Sequence, residues 1–214
     1  MKQHKFLKIT ISLILLVALI TAASIFLSYN VLKVRTFSYE TDKAVDPVRA
    51  VVISDLHEHE FGKDNVKLVE KIREQNPDII LMVGDFVNQD SADSTVAAPE
   101  DVKKFLMDFQ DTDRLKIMMA HRPDSFIFGD AASVWDVDLV VSGHDHGGQV
   151  VVPFAGGVFG GDQGYFPKYV HGMYEKERLH LFVSSGLGSA NEPLPRVNNL
   201  PEVAVVEIEK STQT

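Results

Sequence analysis

Six short apolar runs, four of which stop at aspartate, glycine or histidine, limit the folds open to this sequence. The runs are rich in Val and Ile and mostly apolar, as in strands covered on both faces. Stretches with helical spacing lie between some of them, which predicts an α/β domain. We expect strands at residues 48–53, 79–83, 115–120, 137–141, 179–183 and 203–208, helices at 65–75 (N-cap Asp64) and 100–109, and a partly helical stretch at 123–135.

Composition excludes several classes of protein. A chain of 214 residues with 45% hydrophobic residues can bury the core of one domain, perhaps with an appendage. The lack of cysteine excludes a disulfide scaffold, a thiolate metal site and a cysteine nucleophile. A net charge of −9 argues against nucleic-acid binding. The first 28 residues hold three lysines and no acid, so residues 29–214 carry 18 basic and 30 acidic residues, a charge of −12.

The N-terminal segment has the composition of a membrane anchor. Residues 9–27 are 19 uncharged, mostly aliphatic residues, and a helix of that length spans about 28 Å, close to the hydrocarbon thickness of a bilayer. The preceding lysines favour a cytoplasmic N-terminus and an extracytoplasmic body. The alternative is a cleavable signal peptide with small residues at 21–24, but the apolar run continues beyond them. We therefore predict an anchor at 1–28, a connector at 29–47 and the main domain at 48–210.

Potential metal ligands follow four of the predicted strands, where ligand sites of α/β sheets collect. They are Asp55, His57, Asp85, His121, His144 and His146. Ligands two residues apart on an extended chain point the same way, and Gly84 and Gly143 allow sharp turns beside them. Carboxylate and imidazole without thiolate suit Mn, Fe or Zn. Two such ions can activate a shared water and clamp a phosphoryl group.

These motifs, in this order, resemble those of the calcineurin-like metallophosphoesterases. They are Asp55-x-His57, Gly84-Asp85, His121 and Gly143-His144-x-His146, and the stretch 143–149 is similar to the membrane-associated bacterial branch of that family. The resemblance covers residues 48–208 and implies a sandwich of two β-sheets flanked by helices, here shortened. It also implies a hydroxide nucleophile bridging two divalent ions. Asp55, His57 and His146 would hold the first ion, His121 and His144 the second, and Asp85 would bridge both.

One motif of the family is missing. The family has a Gly-Asn-His-Asp/Glu element between its Gly-Asp and lone-His motifs, which supplies an Asn ligand to the second ion and a His that assists the leaving group. Residues 86–120 contain no histidine, and their one asparagine is Asn88. The resemblance thus implies a second metal site that lacks one ligand, which Asn88 or a water could replace.

Other residues near the motifs are lesser candidates. His59 could supply a proton, although a solvated loop histidine is the simpler interpretation. Gly147, Gly148 and Gln149 could contact phosphate through backbone N–H groups, and a tight turn is the structural alternative. His171 could reach a substrate or lie on the surface.

The sequence leaves two functions open. The first is a metal-dependent phosphoester hydrolase in the cytoplasmic membrane, with its catalytic body outside. Its substrate would be a phosphorylated small molecule or, since an anchored enzyme meets lipids first, a lipid-linked phosphate. The second is a catalytically impaired relative, or a truncated product, that binds metal or a partner.

Overall fold

The computed structural model describes residues 2–86, 107–176, 178–188 and 194–211. Two helices longer than one turn occur in these ranges, α1 (Lys2–Asn30) and α2 (Val66–Arg73). Single helical turns lie at Lys63–Asn65, Asp124–Ile127, Ala131–Val134, His146–Gly148 and Gly161–Gln163. The strands are β1 (Lys33–Thr41), β2 (Val48–Ile53), β3 (Ile79–Met82), β4 (Ile117–Met119), β5 (Leu139–Ser142), β6 (Val151–Val152), β7 (Gly156–Gly157), β8 (Phe159–Gly160), β9 (Gly164–Tyr165), β10 (Gly172–Lys176), β11 (Leu179–Val183) and β12 (Glu202–Lys210).

Two four-stranded sheets form the body. The first has the order β1-β12-β2-β3, in which β1 runs parallel to β12 and β2 runs parallel to β3. The second has the order β10-β11-β5-β4, in which β11, β5 and β4 are parallel. Parallel neighbours bring their carboxyl ends to one edge of a sheet. The ends of β2 and β3 therefore meet, and so do those of β4 and β5.

The main core lies between the two sheets. Ala50 and Val52 of β2 pack in one cluster with Val141 of β5 and Phe182 of β11, all at most 1% exposed. Alternate residues of a strand point to opposite faces, so Val51 of β2 faces the other way.

The outer faces of both sheets are covered by helices. Val51 belongs to a second cluster, in which Leu68 and Ile72 of α2 close the first sheet. Phe126 and Ile127, from the single turn Asp124–Ile127, pack on the second sheet with Val140. The predicted α/β sandwich flanked by helices is confirmed.

Helix α1 is exposed over most of its length but docks on the body at its last turns. It is long and apolar enough to cross a membrane, with a mean hydropathy of 2.6 in its most apolar window, none of which is buried. Near its end, Ser24 Oγ accepts a hydrogen bond from the backbone N–H of Asn198 (2.6 Å) and Ser28 Oγ accepts one from Asn199 (3.3 Å). Ser28 is fully buried. The C-terminal end of α1 is therefore part of the packed body.

Some predicted boundaries differ from the observed ones. Residues 33–41 of the predicted connector form β1, an edge strand of the first sheet. Helix α2 begins after Asn65 rather than Asp64, because both residues have positive φ and break the helix there. The predicted helix at 100–109 falls partly outside the described residues, and residues 107–110 are helical.

Replacing Phe182 by alanine should destabilise the sandwich. The ring is fully buried between the sheets, 4.8 Å from the Phe37 ring between centroids, so Phe182→Ala leaves a cavity and should cost about 3–5 kcal/mol. Phe128→Ala is the matched control, because that ring is 65% exposed. Chemical denaturation of both variants measures the difference, and an equal loss in both would contradict the assigned core.

Candidate metal centre

The structure gathers the six predicted ligands at the carboxyl ends of four strands. Asp55 and His57 follow β2, Asp85 follows β3, His121 follows β4, and His144 begins the loop after β5. Backbone hydrogen bonds tie these ends together. Asp55 N–H donates to Gly84 O (3.1 Å), His57 N–H to Asp85 O (2.9 Å), and Gly143 N–H to His121 O (3.0 Å). The ligands therefore sit on connected backbone rather than on independent loops.

The six side chains form two adjacent groups. The first is Asp55, His57 and His146, and the second is Asp85, His121 and His144; within each group the ligand atoms lie within 4.8 Å of one another. The groups touch, because His121 Nε2 lies 3.1 Å from Asp85 Oδ2 and 3.6 Å from Asp55 Oδ1. His57 Nε2 also lies 3.9 Å from Asp85 Oδ2.

Most of these ligands have a left-handed backbone. Asp55, His57, Asp85, His144 and His146 have φ values between 47° and 73°. For a residue with a side chain this conformation costs about 1–2 kcal/mol. Such conformations persist where the surrounding structure enforces them, and they collect at functional sites.

Backbone carbonyls orient two of the histidine rings. The ring Nδ1 of His121 lies 2.9 Å from Val83 O, and that of His146 lies 3.0 Å from Gly188 O. A carbonyl only accepts hydrogen bonds, so Nδ1 carries the proton in each ring. The lone pair is then on Nε2, and in His121 this nitrogen faces Asp85 and Asp55.

Asp55 carries a fully buried negative charge at the centre of the site. Its Oδ1 accepts a hydrogen bond from the backbone N–H of His144 (3.0 Å), and its Oδ2 is buried with no hydrogen-bond partner among the described residues. A buried carboxylate costs several kcal/mol unless a cation or donors compensate it. His121 Nε2 (3.6 Å) and His146 Nε2 (3.9 Å) face Oδ1, and this buried carboxylate with its imidazoles fits a divalent cation.

Two glycines make room for the ligands. Gly84 has a φ of +70°, and a Cβ there would lie 2.6 Å from His121 Nδ1. At Gly143 a Cβ would lie 2.5 Å from Asp55 Oδ2. Both glycines were expected beside the site from the sequence, and the structure shows the side chains that they accommodate.

Sequence reasoning missed a buried support beneath His146. Arg196 is fully buried and donates to Gly188 O (3.0 Å), the carbonyl that also holds His146 Nδ1. Asn199 Nδ2 donates to the backbone carbonyls of His146 (2.7 Å) and Gln149 (3.2 Å). Burial lowers the pKa of Arg196 to about 10, although the charges of Asp55 and Glu202 oppose the shift. A buried arginine has no local sequence signal, since arginine is ordinarily exposed.

A third group of ligating atoms adjoins the second one and was also missed. Asp124, His144 and Asp162 have ligand atoms within 4.8 Å of one another, and Asp162 Oδ2 lies 3.1 Å from His144 Nε2. Burial disfavours the charge of Asp162, but His144 and Arg122 outweigh it and lower the pKa of that carboxyl. Burial raises the pKa of the neighbouring Asp145 to about 8, although a hydrogen bond from Gln163 opposes this.

The lesser candidates lie in several places. His59 Nε2 lies 2.7 Å from Tyr29 O at the end of α1, and His59 is in none of the three ligand groups. Gly147, Gly148 and Gln149 are buried in the turn after His146. His171 Nε2 lies 2.8 Å from the buried Glu202 carboxylate. Asn88 lies outside the described residues.

Part of the chain matches a known protein family. Residues 48–111, which include Asp55, His57 and Asp85, match the family model described as "Calcineurin-like phosphoesterase". This stretch of the chain is therefore similar to the calcineurin-like phosphoesterases. Two further strands, β4 and β5, bring His121, His144 and His146 to the ligands of the matched stretch.

Several bacterial proteins are similar to part of this chain. The chain is 37% identical over 102 residues to "Uncharacterized metallophosphoesterase YkuE" of Bacillus subtilis, covering 47% of this chain and 33% of the relative. It is 34% identical over 94 residues to "Phosphodiesterase YaeI" of Escherichia coli, covering 44% and 32%. The matches thus span about a third of the length of these relatives. No solved structure matches the chain.

Replacing Gly84 by alanine should displace His121 and weaken metal binding at this centre. The new Cβ would overlap Nδ1 of the ring, so we expect at least a tenfold loss of Mn²⁺ affinity, measured by titration. Gly156→Ala is the control, because Gly156 also has a positive φ, +86°, but nothing lies within 4 Å of its Cβ position. Both variants bear the backbone cost of about 1–2 kcal/mol. Equal Mn²⁺ affinities in the two would refute the assigned contact.

Proposed function

We propose that the chain is a metal-dependent phosphoester hydrolase whose centre takes two divalent ions, Mn, Fe or Zn. The observation that carries this proposal is the pair of adjacent ligand groups, joined by the contacts of His121 with both Asp55 and Asp85. When bound, the ions would supply a hydroxide nucleophile at neutral pH and neutralise charge on the phosphoryl group.

The chain's own residues have distinct tasks in this proposal. Asp55, His57 and His146 would hold the first ion at the more buried side of the site, and Asp85, whose side chain is 40% exposed, would serve both ions. His121 keeps Nε2 directed at both carboxylates through its bond to Val83. The exposed side of the second group is where a phosphate would enter.

A second candidate function follows from the missing motif. Residues 86–120 contain no histidine, so the family's assistance to the leaving group has no counterpart there. In this alternative the domain binds metal without turnover, and a single ion per chain is expected. Counting metal by mass spectrometry separates the two functions, because the hydrolase requires two ions.

We propose further that the substrate is a lipid-linked phosphoester. A groove of about 730 Å³ lies between α1 and the body, lined by apolar residues of both. Its walls include Ile20 and Leu27 of α1 and Val150–Pro153, which follow the turn after His146 within a few residues. A groove of this composition beside a membrane-spanning helix suits an acyl chain. We propose that the same helix is a single-pass anchor in the cytoplasmic membrane and that the catalytic body lies outside, the side that the lysines before the helix favour.

Hydrolysis of an aryl phosphate should require both the ions and Asp85. The protein supplied with Mn²⁺ should turn over p-nitrophenyl phosphate, and a chelator should abolish this. Asp85→Asn should lower kcat/KM at least 100-fold, about 3 kcal/mol of transition-state stabilisation. The control is Asp46→Asn in the exposed loop after β1. A well-folded wild type that hydrolyses neither monoester nor diester with any divalent ion would refute the proposal.

Filling the groove should remove a preference for lipid substrates. We expect the protein to hydrolyse phosphatidic acid in mixed micelles more efficiently than glycerol phosphate. Ala23→Phe, which places a ring in the groove, should reduce the ratio of the two kcat/KM values at least fivefold. Ala18→Phe, earlier on the exposed part of α1, should not. An unchanged ratio in Ala23→Phe would refute the lipid assignment while leaving hydrolysis itself untouched.

A further inference from the structure

We propose that Asp162 orients His144 for the second metal ion, as a positioning carboxylate that lies outside the motifs from which the site was predicted. The inference rests on the proposed function, since it concerns the weaker half of that metal centre. Asp162 does not follow any of the four strands that carry the predicted ligands; it lies in the turn Gly161–Gln163, between β8 and β9.

The side chains of Asp162 and His144 are joined by a hydrogen bond. Asp162 Oδ2 lies 3.1 Å from His144 Nε2. An ionised carboxylate only accepts hydrogen bonds, so the ring proton is on Nε2 and the lone pair is on Nδ1. His121 and His146 show the opposite arrangement, because a backbone carbonyl holds Nδ1 in each. In all three rings a protein oxygen holds one nitrogen and leaves the other for a ligand bond.

The turn that carries Asp162 is built to approach His144. Gly161 has a φ of +41°, and a Cβ there would lie 3.2 Å from His144 Nε2. Gln163 Nε2 donates to Asp145 Oδ2 (2.8 Å) and to Tyr169 O (2.9 Å), and Gln163 Oε1 accepts a hydrogen bond from Tyr169 N–H (3.2 Å). Asp145 stands between His144 and His146, so Gln163 ties the turn directly to the metal-binding loop.

An ion pair with Arg122 is the competing explanation for the position of Asp162. The two side chains are in contact, but that of Arg122 is 60% exposed, and such surface pairs contribute at most about 1 kcal/mol. The pair alone does not require the close approach of Gly161 or the three hydrogen bonds of Gln163. Those features fix the turn against the loop of His144.

A carboxylate behind a metal-binding imidazole raises its basicity and fixes its tautomer, and loss of such a group typically costs 10–100-fold in metal affinity. This chain depends on that effect more than a chain with the Asn-His motif would, because residues 86–120 offer Asn88 alone. The carboxylate of Asp162 strengthens His144 as a ligand at the second metal site, which has few other ligands.

The experiment is Mn²⁺ titration of the full chain in detergent micelles, with three variants. Asp162→Ala should weaken the second, weaker Mn²⁺ site 10–100-fold and leave the first site unchanged. Asp162→Asn retains an acceptor oxygen and should lose less. Arg122→Gln removes the ion pair alone and should leave both affinities unchanged.

A second readout needs no metal. In protein labelled with ¹⁵N-histidine and freed of metal, the ring shifts of His144 should show the Nε2–H tautomer in wild type and in Arg122→Gln, and a mixture of tautomers in Asp162→Ala.

Two results would overturn the inference: an unchanged second site in Asp162→Ala, or an equal loss in Arg122→Gln. A wild type that binds fewer than two ions would refute the dinuclear proposal instead, and the tautomer of His144 would then decide the role of Asp162 alone.

Discussion

The buried carboxylate of Asp55 determines the arrangement around it. It is fully buried, and its Oδ1 both accepts the His144 N–H and lies 3.6 Å from His121 Nε2 and 3.9 Å from His146 Nε2. Glycine is needed on two sides, because a Cβ at Gly143 would lie 2.5 Å, and one at Gly186 2.8 Å, from Asp55 Oδ2. The buried cation of Arg196 partly offsets its charge from below. Because this buried negative charge is only partly offset, it requires a cation on the side of the imidazoles, and that requirement defines the site.

The same carboxylate joins the two sheets. Asp55 follows β2 of the first sheet, whereas His144 follows β5 of the second. The segment after β11 crosses back, and Leu187 and Gly188 donate backbone hydrogen bonds to Ser54 O (3.0 Å) and Asp55 O (2.6 Å). Because the metal centre takes its ligands from both sheets, the distances between those ligands depend on how the sheets pack. Distortion of the sandwich should therefore affect metal binding before it unfolds the domain.

Local sequence patterns predicted six of the eight strands of the two sheets and the six candidate ligands that the structure brings together. The run at 48–53 coincides with β2 and the run at 179–183 with β11, because both strands are largely buried and mostly apolar. Strands β1 and β10 lie at sheet edges and were not predicted. Strand β1 mixes polar and apolar residues, and its partner β12 comes about 170 residues later, so that pairing had no local signal. Asp162, Arg196 and Asn199 were missed for the same physical reason. Their roles come from contacts with His144, Gly188 and His146 that only the tertiary fold creates.

Contacts at the end of α1 bear on whether this segment is an anchor or a cleaved signal. Ser24 and Ser28 accept hydrogen bonds from the backbone N–H groups of Asn198 and Asn199, and Asn199 in turn holds the carbonyl of His146. Cleavage at the small residues 21–24 would shorten the helix to its last turns, and loss of the Ser28 contact would leave the buried N–H of Asn199 without that partner, at a cost of about 1–3 kcal/mol. Asn199 holds the carbonyl of His146, so the last turns of α1 support the loop that carries His144 and His146.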